Sequence, residues 1–196
     1  NNYGPNQFPE KVIPLFVTNA IDNTPLPLYG DGLNVRDWLH VDDHCRAILA
    51  VLEHGKTGEV YNVAGACHLP NLDVIRRVIE IVGASENLIT RVTDRPGHDR
   101  RYALRGDKIA RDTGFAPAVP FEEGLARTVR WYQDHAGWIA RVRSGAYRDY
   151  YTQNYGWRTT TALSPSRSCA SRSGPSSSSA MQRWRARSKA CARPSA

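Results

Sequence analysis

The stretch from Arg36 to Asp43 constrains the fold of this chain most, because it is typical of a half-buried strand that runs directly into a helix. Trp38 can face a core on the strand side, and Asp42 or Asp43 can cap the amphipathic helix that follows. Arg36 is then a cation at the start of a rigid element. Its planar guanidinium suits binding of a phosphate or a carboxylate, because two of its N–H donors can bond to two oxygens of the anion at once. The alternative is a surface arginine paired with a nearby acid.

The rest of the chain alternates between helical and strand patterns. We predict helices over residues 11–20, from Asp43 to Gly55, from Asn71 to Gly83, and over 107–112 and 121–135, and strands over 25–29, 59–63 and 88–92. Such alternation indicates an α/β fold. No Gly-x-Gly-x-x-Gly turn occurs, so we do not expect a complete dinucleotide-binding half in this chain.

Several local features of these elements can be tested against a structure. Residues 1–9 are polar and rich in Pro and Gly, which predicts a loop, and 66–70 is also expected to be a loop. Gly55 is placed for a left-handed helix end, and Asn71 for a helix N-cap. The buried face of the helix after Asp43 is expected to contain Ala47, Ile48, Val51 and Leu52.

Charge divides the chain into a neutral body over residues 1–157 and a basic tail over 158–196. The formal net charge is +7, but seven of the 26 Lys and Arg residues follow Thr159, where no acid occurs. The remaining 19 basic residues, of which Arg158 is the last, balance 19 acidic ones. The Ser-, Arg- and Ala-rich tail has almost no aliphatic content, so we expect disorder and favour a non-native terminus over an RNA-binding arm. Nucleic acid is therefore not an expected partner of the body.

The cysteines and histidines form no recognisable metal or disulfide pattern. His40 and His44 lack a third ligand at a useful spacing, and no Cys-x-x-Cys pair occurs. No apolar run approaches the roughly 20 residues that span a bilayer. We therefore expect a reduced, cytoplasmic setting without a membrane partner. The sequence does not start with Met, so we also expect that it was cut from a longer chain. The four cysteines are Cys45, Cys67, Cys169 and Cys191.

Polar residues that could bind a ligand fall at loops and at the ends of elements, where α/β folds bind their ligands. Arg36 and Arg95 could clamp the two halves of a pyrophosphate, and the asparagines could contact a ribose or a base. Each residue taken singly is as well explained as a cap, a turn former or a solvated charge. The candidates are Asn1, Asn2, Lys11, Tyr29, Arg36, Asn71, Arg95, His98 and Tyr102.

A series of motifs resembles one enzyme family. The matching motifs, in order, are Asn1-Asn2-Tyr3-Gly4-Pro5, Gln7-Phe8-Pro9-Glu10-Lys11-Val12-Ile13-Pro14, Pro27-Leu28-Tyr29-Gly30, Arg36-Asp37-Trp38, Val41-Asp42-Asp43-His44, Tyr61-Asn62-Val63 and Asp94-Arg95-Pro96-Gly97-His98-Asp99-Arg100-Arg101-Tyr102. In this order and spacing, they resemble the dTDP-glucose 4,6-dehydratases, members of the extended short-chain dehydrogenase/reductase group. The resemblance implies the C-terminal, substrate-binding portion of a Rossmann-type fold.

The resemblance also implies roles for individual residues. Arg36 would hold the pyrophosphate, Asn2 would lie at the edge of the NAD site, and the loop from Asp94 to His98 would close over the nucleotide. The implied substrate-binding residues are Asn1, Lys11, Val12, Pro27, Leu28, Tyr29, Arg36, Asn71, Asp94, Arg95, Pro96, Gly97 and His98.

Enzymes of this family oxidise the sugar at C4 with NAD, eliminate water across C5 and C6, and return the hydride to C6. By the same resemblance, the Tyr-x-x-x-Lys pair and the Gly-rich NAD turn are expected upstream of Asn1, the parent is expected to be a homodimer, and this chain alone is expected to be inactive. Two alternatives stay open. The chain could derive from another nucleotide-sugar epimerase or dehydratase, or it could be a non-catalytic remnant with a nucleic-acid-binding tail.

Overall fold

Short strands and a layer of helices build the fold. The computed structural model describes residues 1–144, 149, 152 and 153, so the basic tail over 158–196 lies outside the described residues. The helices are α1 (Val12–Ile21), α2 (Val41–His54), α3 (Asn71–Val82), α4 (Asp107–Thr113), α5 (Phe121–Asp134) and α6 (Ala136–Arg143). The strands are β1 (Asn2–Tyr3), β2 (Leu26–Tyr29), β3 (Val35–Asp37), β4 (Leu39–His40), β5 (His68–Pro70), β6 (Ile89–Val92) and β7 (Arg101–Tyr102). No helix in the described part is both long and apolar enough to cross a membrane.

The strands form small sheets that are mostly parallel. β1 pairs with β4, and β2 pairs with β6 from Leu26 opposite Ile89 to Tyr29 opposite Val92. β3 lies between β5 and β7, antiparallel to the former and parallel to the latter. Helices and parallel strands together make this an α/β structure, as the sequence predicted.

The main core lies where α1, α3 and α5 meet. Apolar residues of α3 recur at helical spacing, and Val74, Ile75 and Val78 are all almost completely buried. Leu125 and Val129 of α5 are fully buried in the same cluster. Because an apolar stripe is stable only when another element covers it, these three helices hold one another in place.

Most predicted elements are confirmed within one or two residues. The helix predicted over 11–20 is α1, that over 107–112 is α4, and that over 121–135 is α5. The strands predicted over 25–29 and 88–92 are β2 and β6. Gly83 ends α3 with a φ of 78°, the left-handed conformation that glycine adopts most easily.

The start of α2 differs from the prediction. The N-cap is His40, whose Nδ1 accepts a hydrogen bond from the Asp42 backbone N–H at 3.2 Å. Asp42 and Asp43 therefore lie in the first turn and do not cap the helix. Asp43 is unavailable as a cap because its buried carboxylate binds two backbone N–H groups far along the chain, at Ala118 and Val119.

The apolar face of α2 was also predicted wrongly. Only Ala47 of the four expected residues is buried, whereas Ile48 is 50% exposed and Leu52 is 77% exposed. Val51 is partly buried against the cluster that contains Ile109 of α4, so only part of the predicted face is covered. At its end, Gly55 is extended with a φ of −70°, so no left-handed cap forms there.

Four further local predictions are wrong. Residues 59–63 form no strand, because no described strand pairs with them. Asn71 is the first residue of α3, and Pro70 occupies the N-cap position. The loops predicted over 1–9 and 66–70 contain β1 and β5, both short strands whose pairing partners are distant in sequence.

Candidate functional site

A cavity of about 640 Å³ opens between the first turns of α1 and α3, the strands β2 and β3, and the loop that follows β6. Its volume is within the range of about 300–1,000 Å³ that small-molecule sites occupy. Each wall comes from a different part of the chain. A ligand in the cavity would therefore contact segments that the fold, not the sequence order, brings together.

Most residues singled out from the sequence line this cavity. Asp94, Pro96 and Gly97 lie in the loop after β6 but do not line it, and neither does Tyr102. The predicted residues that do line it are Asn1, Asn2, Lys11, Val12, Pro27, Leu28, Tyr29, Arg36, Asn71, Arg95 and His98.

Arg36 is the buried cation of the cavity. It lies on β3, the central strand of its sheet, and is only 7% exposed. Its Nη1 donates to the Val35 carbonyl oxygen at 2.8 Å, and within the described residues it has no carboxylate in ion-pair range. Burial lowers the pKa of the Arg36 guanidinium, while Asp99 raises it and Arg95 lowers it. Most donors of a buried, charged group therefore remain for a ligand.

Further charges make the cavity cationic. Lys11 and Arg95 line it together with Arg36, whereas Glu10 is the one carboxylate among its described lining residues. Glu10 pairs with Lys11 at 2.7 Å. Because opposite charges attract strongly at sites shielded from water, an anion is the favoured occupant.

Asn71 supplies a buried polar group to the cavity wall, directly after the strand that pairs with β3. It is 8% exposed, and its backbone N–H donates to the Asn34 carbonyl at 3.0 Å. Its side-chain Oδ1 has no hydrogen-bond partner among the described residues. A buried acceptor without a partner costs free energy, which a ligand N–H or O–H would recover.

Two aromatic rings form part of the cavity wall. Tyr29 and His98 meet edge to face with centroids 6.0 Å apart. His98 Nδ1 lies 2.6 Å from Asp94 Oδ1, so Asp94 reaches the cavity through His98.

The sequence reasoning missed part of the lining. The apolar wall comes from residues assigned only to the core, such as Trp38 and Ile75, and from the buried side of α1. Two of the missed residues, Gln7 and Glu10, are polar, and their closeness in sequence to Lys11 was the available signal. The missed residues are Gln7, Glu10, Ile13, Leu15, Phe16, Trp38 and Ile75.

The arrangement suits a ligand that carries an anionic group and a less polar part. Among the described residues, no three His, Cys, Asp or Glu side chains come together as a metal site. Asn2, the one residue predicted at the NAD site, lines the cavity, and its Nδ2 contacts His44 Nδ1. It contributes a single side-chain amide to the cavity. A single amide does not make a dinucleotide site.

Comparisons with known proteins show the family of this chain. A family model described as GDP-mannose 4,6 dehydratase matches residues 1–128. The dTDP-glucose 4,6-dehydratase of Streptomyces griseus is 54% identical over 138 residues, which are 70% of this chain and 42% of that protein.

Two solved structures have a similar fold. The dTDP-glucose 4,6-dehydratase of Streptomyces venezuelae, crystallised with NAD, gives a TM-score of 0.71 at 52% identity and covers 72% of this chain and 44% of that one. The UDP-glucose 4-epimerase of Thermotoga maritima, crystallised with UDP-glucose, gives a TM-score of 0.66 at 30% identity, over 69% of this chain and 44% of that one. This chain thus spans less than half the length of these relatives. It belongs to the GDP-mannose 4,6 dehydratase family, and within the extended short-chain dehydrogenases it is similar to dTDP-glucose 4,6-dehydratases.

Proposed function

We propose that this chain is the sugar-nucleotide-binding portion of a dTDP-glucose 4,6-dehydratase, a lyase that converts dTDP-glucose to dTDP-4-keto-6-deoxyglucose and water in deoxysugar biosynthesis. Its cavity holds the substrate by the diphosphate. NAD is the proposed cofactor of the whole enzyme, by analogy with the Streptomyces venezuelae relative. The whole enzyme is proposed to be a cytoplasmic homodimer.

One observation carries the proposal: Arg36 and Arg95, which are 59 positions apart in sequence, line the same cavity. Arg36 is buried and has no carboxylate partner in the described part of the chain, and Arg95 is exposed at the rim. Two guanidinium groups can hold both phosphates of a diphosphate, each through parallel N–H donors. A buried arginine would otherwise be costly, so an anionic ligand explains why it is there.

The other walls suit the rest of a sugar nucleotide. Asn71 Oδ1 can accept from an N–H or O–H group of the ligand, and the apolar wall around Trp38 and Ile75 can cover the face of a base. Together these groups bind and orient the substrate and exclude water from it. The oxidation itself requires a hydride acceptor and a group that moves a proton, for which positioning cannot substitute. We therefore propose that the chain binds substrate but does not turn it over alone.

Titration calorimetry of the full chain with dTDP-glucose tests the binding role. Replacing Arg36 by Ala should weaken binding by about 10- to 100-fold, because charge-assisted hydrogen bonds contribute about 1.5–3 kcal/mol each. Arg36→Lys should recover only part of this loss, since it keeps the charge without the planar fork. Arg130→Ala is the matched control: it removes one exposed arginine on α5, outside the cavity. Equal affinities of the Arg36→Ala and Arg130→Ala chains would refute the proposal.

A nucleotide-sugar epimerase is the second candidate, because the Thermotoga maritima enzyme shares the fold at 30% identity. Titration with UDP-glucose beside dTDP-glucose separates the two. Tighter binding of dTDP-glucose supports the dehydratase, and tighter binding of UDP-glucose supports the epimerase. Turnover of dTDP-glucose by the purified chain would overturn the proposal that the chain is inactive alone.

A further inference from the structure

Asp94 lies beside the cavity and not in its wall. Its Oδ1 accepts the backbone N–H of Arg95 at 2.8 Å and lies 2.6 Å from His98 Nδ1. Arg95 and His98 both line the cavity, whereas Asp94 does not. One carboxylate oxygen thus joins the two lining residues of this loop.

The contact with His98 determines which ring nitrogen remains for a ligand. A carboxylate accepts hydrogen bonds, so Nδ1 must carry the proton that it donates to Asp94. In the neutral ring Nε2 is then the nitrogen without a proton, and in the protonated ring it becomes a donor. The His98 side chain is 7% exposed, so its ring has little freedom to turn while Asp94 holds it.

The backbone next to Asp94 limits where its carboxylate can lie. Gly30, at the end of β2, packs so closely that a Cβ there would lie 3.2 Å from Asp94 Oδ2. Its N–H donates to the Val92 carbonyl at 3.0 Å, which ties the turn after β2 to the strand that leads into the loop. The carboxylate of Asp94 is therefore positioned by the pair β2–β6, the rigid part nearest the loop.

We propose that Asp94 is a positioning residue, which fixes the ring of His98 and the backbone of Arg95 so that both face the diphosphate of a sugar nucleotide. This inference rests on the proposed function of the cavity. Asp94 and Tyr29 contact the ring of His98, and the charged residues that line the same cavity are Glu10, Lys11, Arg36 and Arg95. Among these, Asp94 is the carboxylate in contact with the imidazole.

The experiment combines a tautomer measurement with an affinity measurement on the full chain. Nitrogen-15 NMR at about pH 8, where ordinary imidazoles are neutral, reports which ring nitrogen of His98 carries the proton, and the His98→Gln spectrum assigns the signal. We expect the proton on Nδ1 in the unmodified chain and on Nε2 for much of the population in Asp94→Ala. Asp94→Asn, which keeps an acceptor oxygen, should restore Nδ1. A purely structural role of Asp94 would leave the tautomer unchanged.

Titration with dTDP-glucose then tests the consequence for the ligand. Asp94→Ala and His98→Gln should each weaken binding by about 10-fold, and the double variant should be little weaker than either, because coupled residues lose their effect together. Asp99→Asn is the control: it removes a carboxylate of the same loop that also acts on the charge of Arg36, without the contact to His98. It should leave the tautomer unchanged and cost less affinity than Asp94→Ala.

Two results would overturn the inference: an unchanged tautomer in Asp94→Ala, or fully additive losses in the double variant. If the unmodified chain does not bind dTDP-glucose, the proposed function fails and this inference, which rests on it, fails with it. Binding that depends on Arg36 but not on Asp94 leaves the function standing and refutes the positioning role alone.

Discussion

Asp43 Oδ2 accepts the backbone N–H of Val119 at 2.9 Å and thereby joins the first turn of α2 to the segment that leads into α5. The same oxygen accepts the N–H of Ala118 at 3.1 Å, and Oδ1 pairs with Arg46. The carboxylate is fully buried. A buried charge is tolerated only where hydrogen bonds and a counter-ion satisfy it, and Asp43 has both.

Replacing Asp43 by Ala should therefore lower the free energy of unfolding by about 3 kcal/mol, because two buried N–H groups lose their acceptor. Asp42→Ala is the matched control. Asp42 is about half exposed and pairs with Arg127 at 3.0 Å, so its loss should cost about 1 kcal/mol or less. Urea denaturation of the full chain measures both values. Equal losses would show that the Asp43 bonds to residues 118 and 119 contribute little.

We expect replacing Leu125, in the core between α1, α3 and α5, to cost far more stability than replacing Leu52 on the surface of α2. Leu125→Ala should destabilise the chain by about 2–5 kcal/mol, since the fully buried side chain leaves a cavity behind. Leu52→Ala removes the same atoms from a side chain that is 77% exposed, so the change should stay within about 0.5 kcal/mol. The midpoints of urea denaturation measure both losses, provided that the dependence of the unfolding free energy on urea concentration is unchanged. A large loss in Leu52→Ala would mean that another surface covers α2 in solution.

The contrast between α2 and α3 shows how far the sequence could predict the fold. Both helices carry an apolar stripe at the same spacing, and both were predicted as helices. Periodicity indicates that a face can be buried, but whether another element covers it depends on partners elsewhere in the chain. For α3 the partners are α1 and α5, whereas Leu52 on α2 is left 77% exposed. The N-cap at His40 was missed for a related reason, because the tie from Asp43 to Val119 spans 76 positions.

The polar residues that line the candidate site were easier to predict from the sequence than the residues that hold them in place. Arg36, Arg95 and Asn71 were expected at the ends of elements, and the ends of parallel strands and the starts of helices do meet at one cavity. The sequence could not reveal that Asp94 contacts His98 rather than the cavity, since both lie in one loop. Core residues such as Trp38 were missed because apolar residues give the same pattern whether they line a core or a ligand site.

His40 predicts how stability changes with pH. Burial lowers the pKa of His40, with Asp42 the largest opposing influence, so the folded chain holds the ring neutral where the unfolded chain protonates it. The unfolded state then binds more protons, and stability falls as the pH drops below about 6.5. His40→Asn removes the titrating ring but keeps an acceptor for the Asp42 N–H. We expect urea denaturation between about pH 7.5 and 5.5 to show a smaller loss of stability in this variant.

A histidine on the surface provides the control for this pH effect. His54→Asn makes the same substitution at an exposed ring at the end of α2, so it shows how much of any change comes from replacing a histidine by asparagine and not from the buried site. If His40→Asn also loses as much stability on acidification as the unmodified chain, another group must account for the loss.

Replacing glycine by alanine should change stability in opposite directions at two helical positions. Gly124 of α5 lies against β1, where an added Cβ would meet Tyr3 Oη at 2.5 Å and His40 Cδ2 at 3.0 Å. Tyr3 is 2% exposed and cannot easily move, so Gly124→Ala should destabilise the chain by about 1–3 kcal/mol despite the better helix propensity of alanine. Gly137 of α6 meets only the tip of Arg141, at 3.8 Å, so Gly137→Ala should stabilise the chain by about 0.5–1 kcal/mol. Thermal unfolding of the two variants checks both signs, and a rise in Tm for Gly124→Ala would show that α5 does not pack this closely on the strand that carries Asn2 into the cavity.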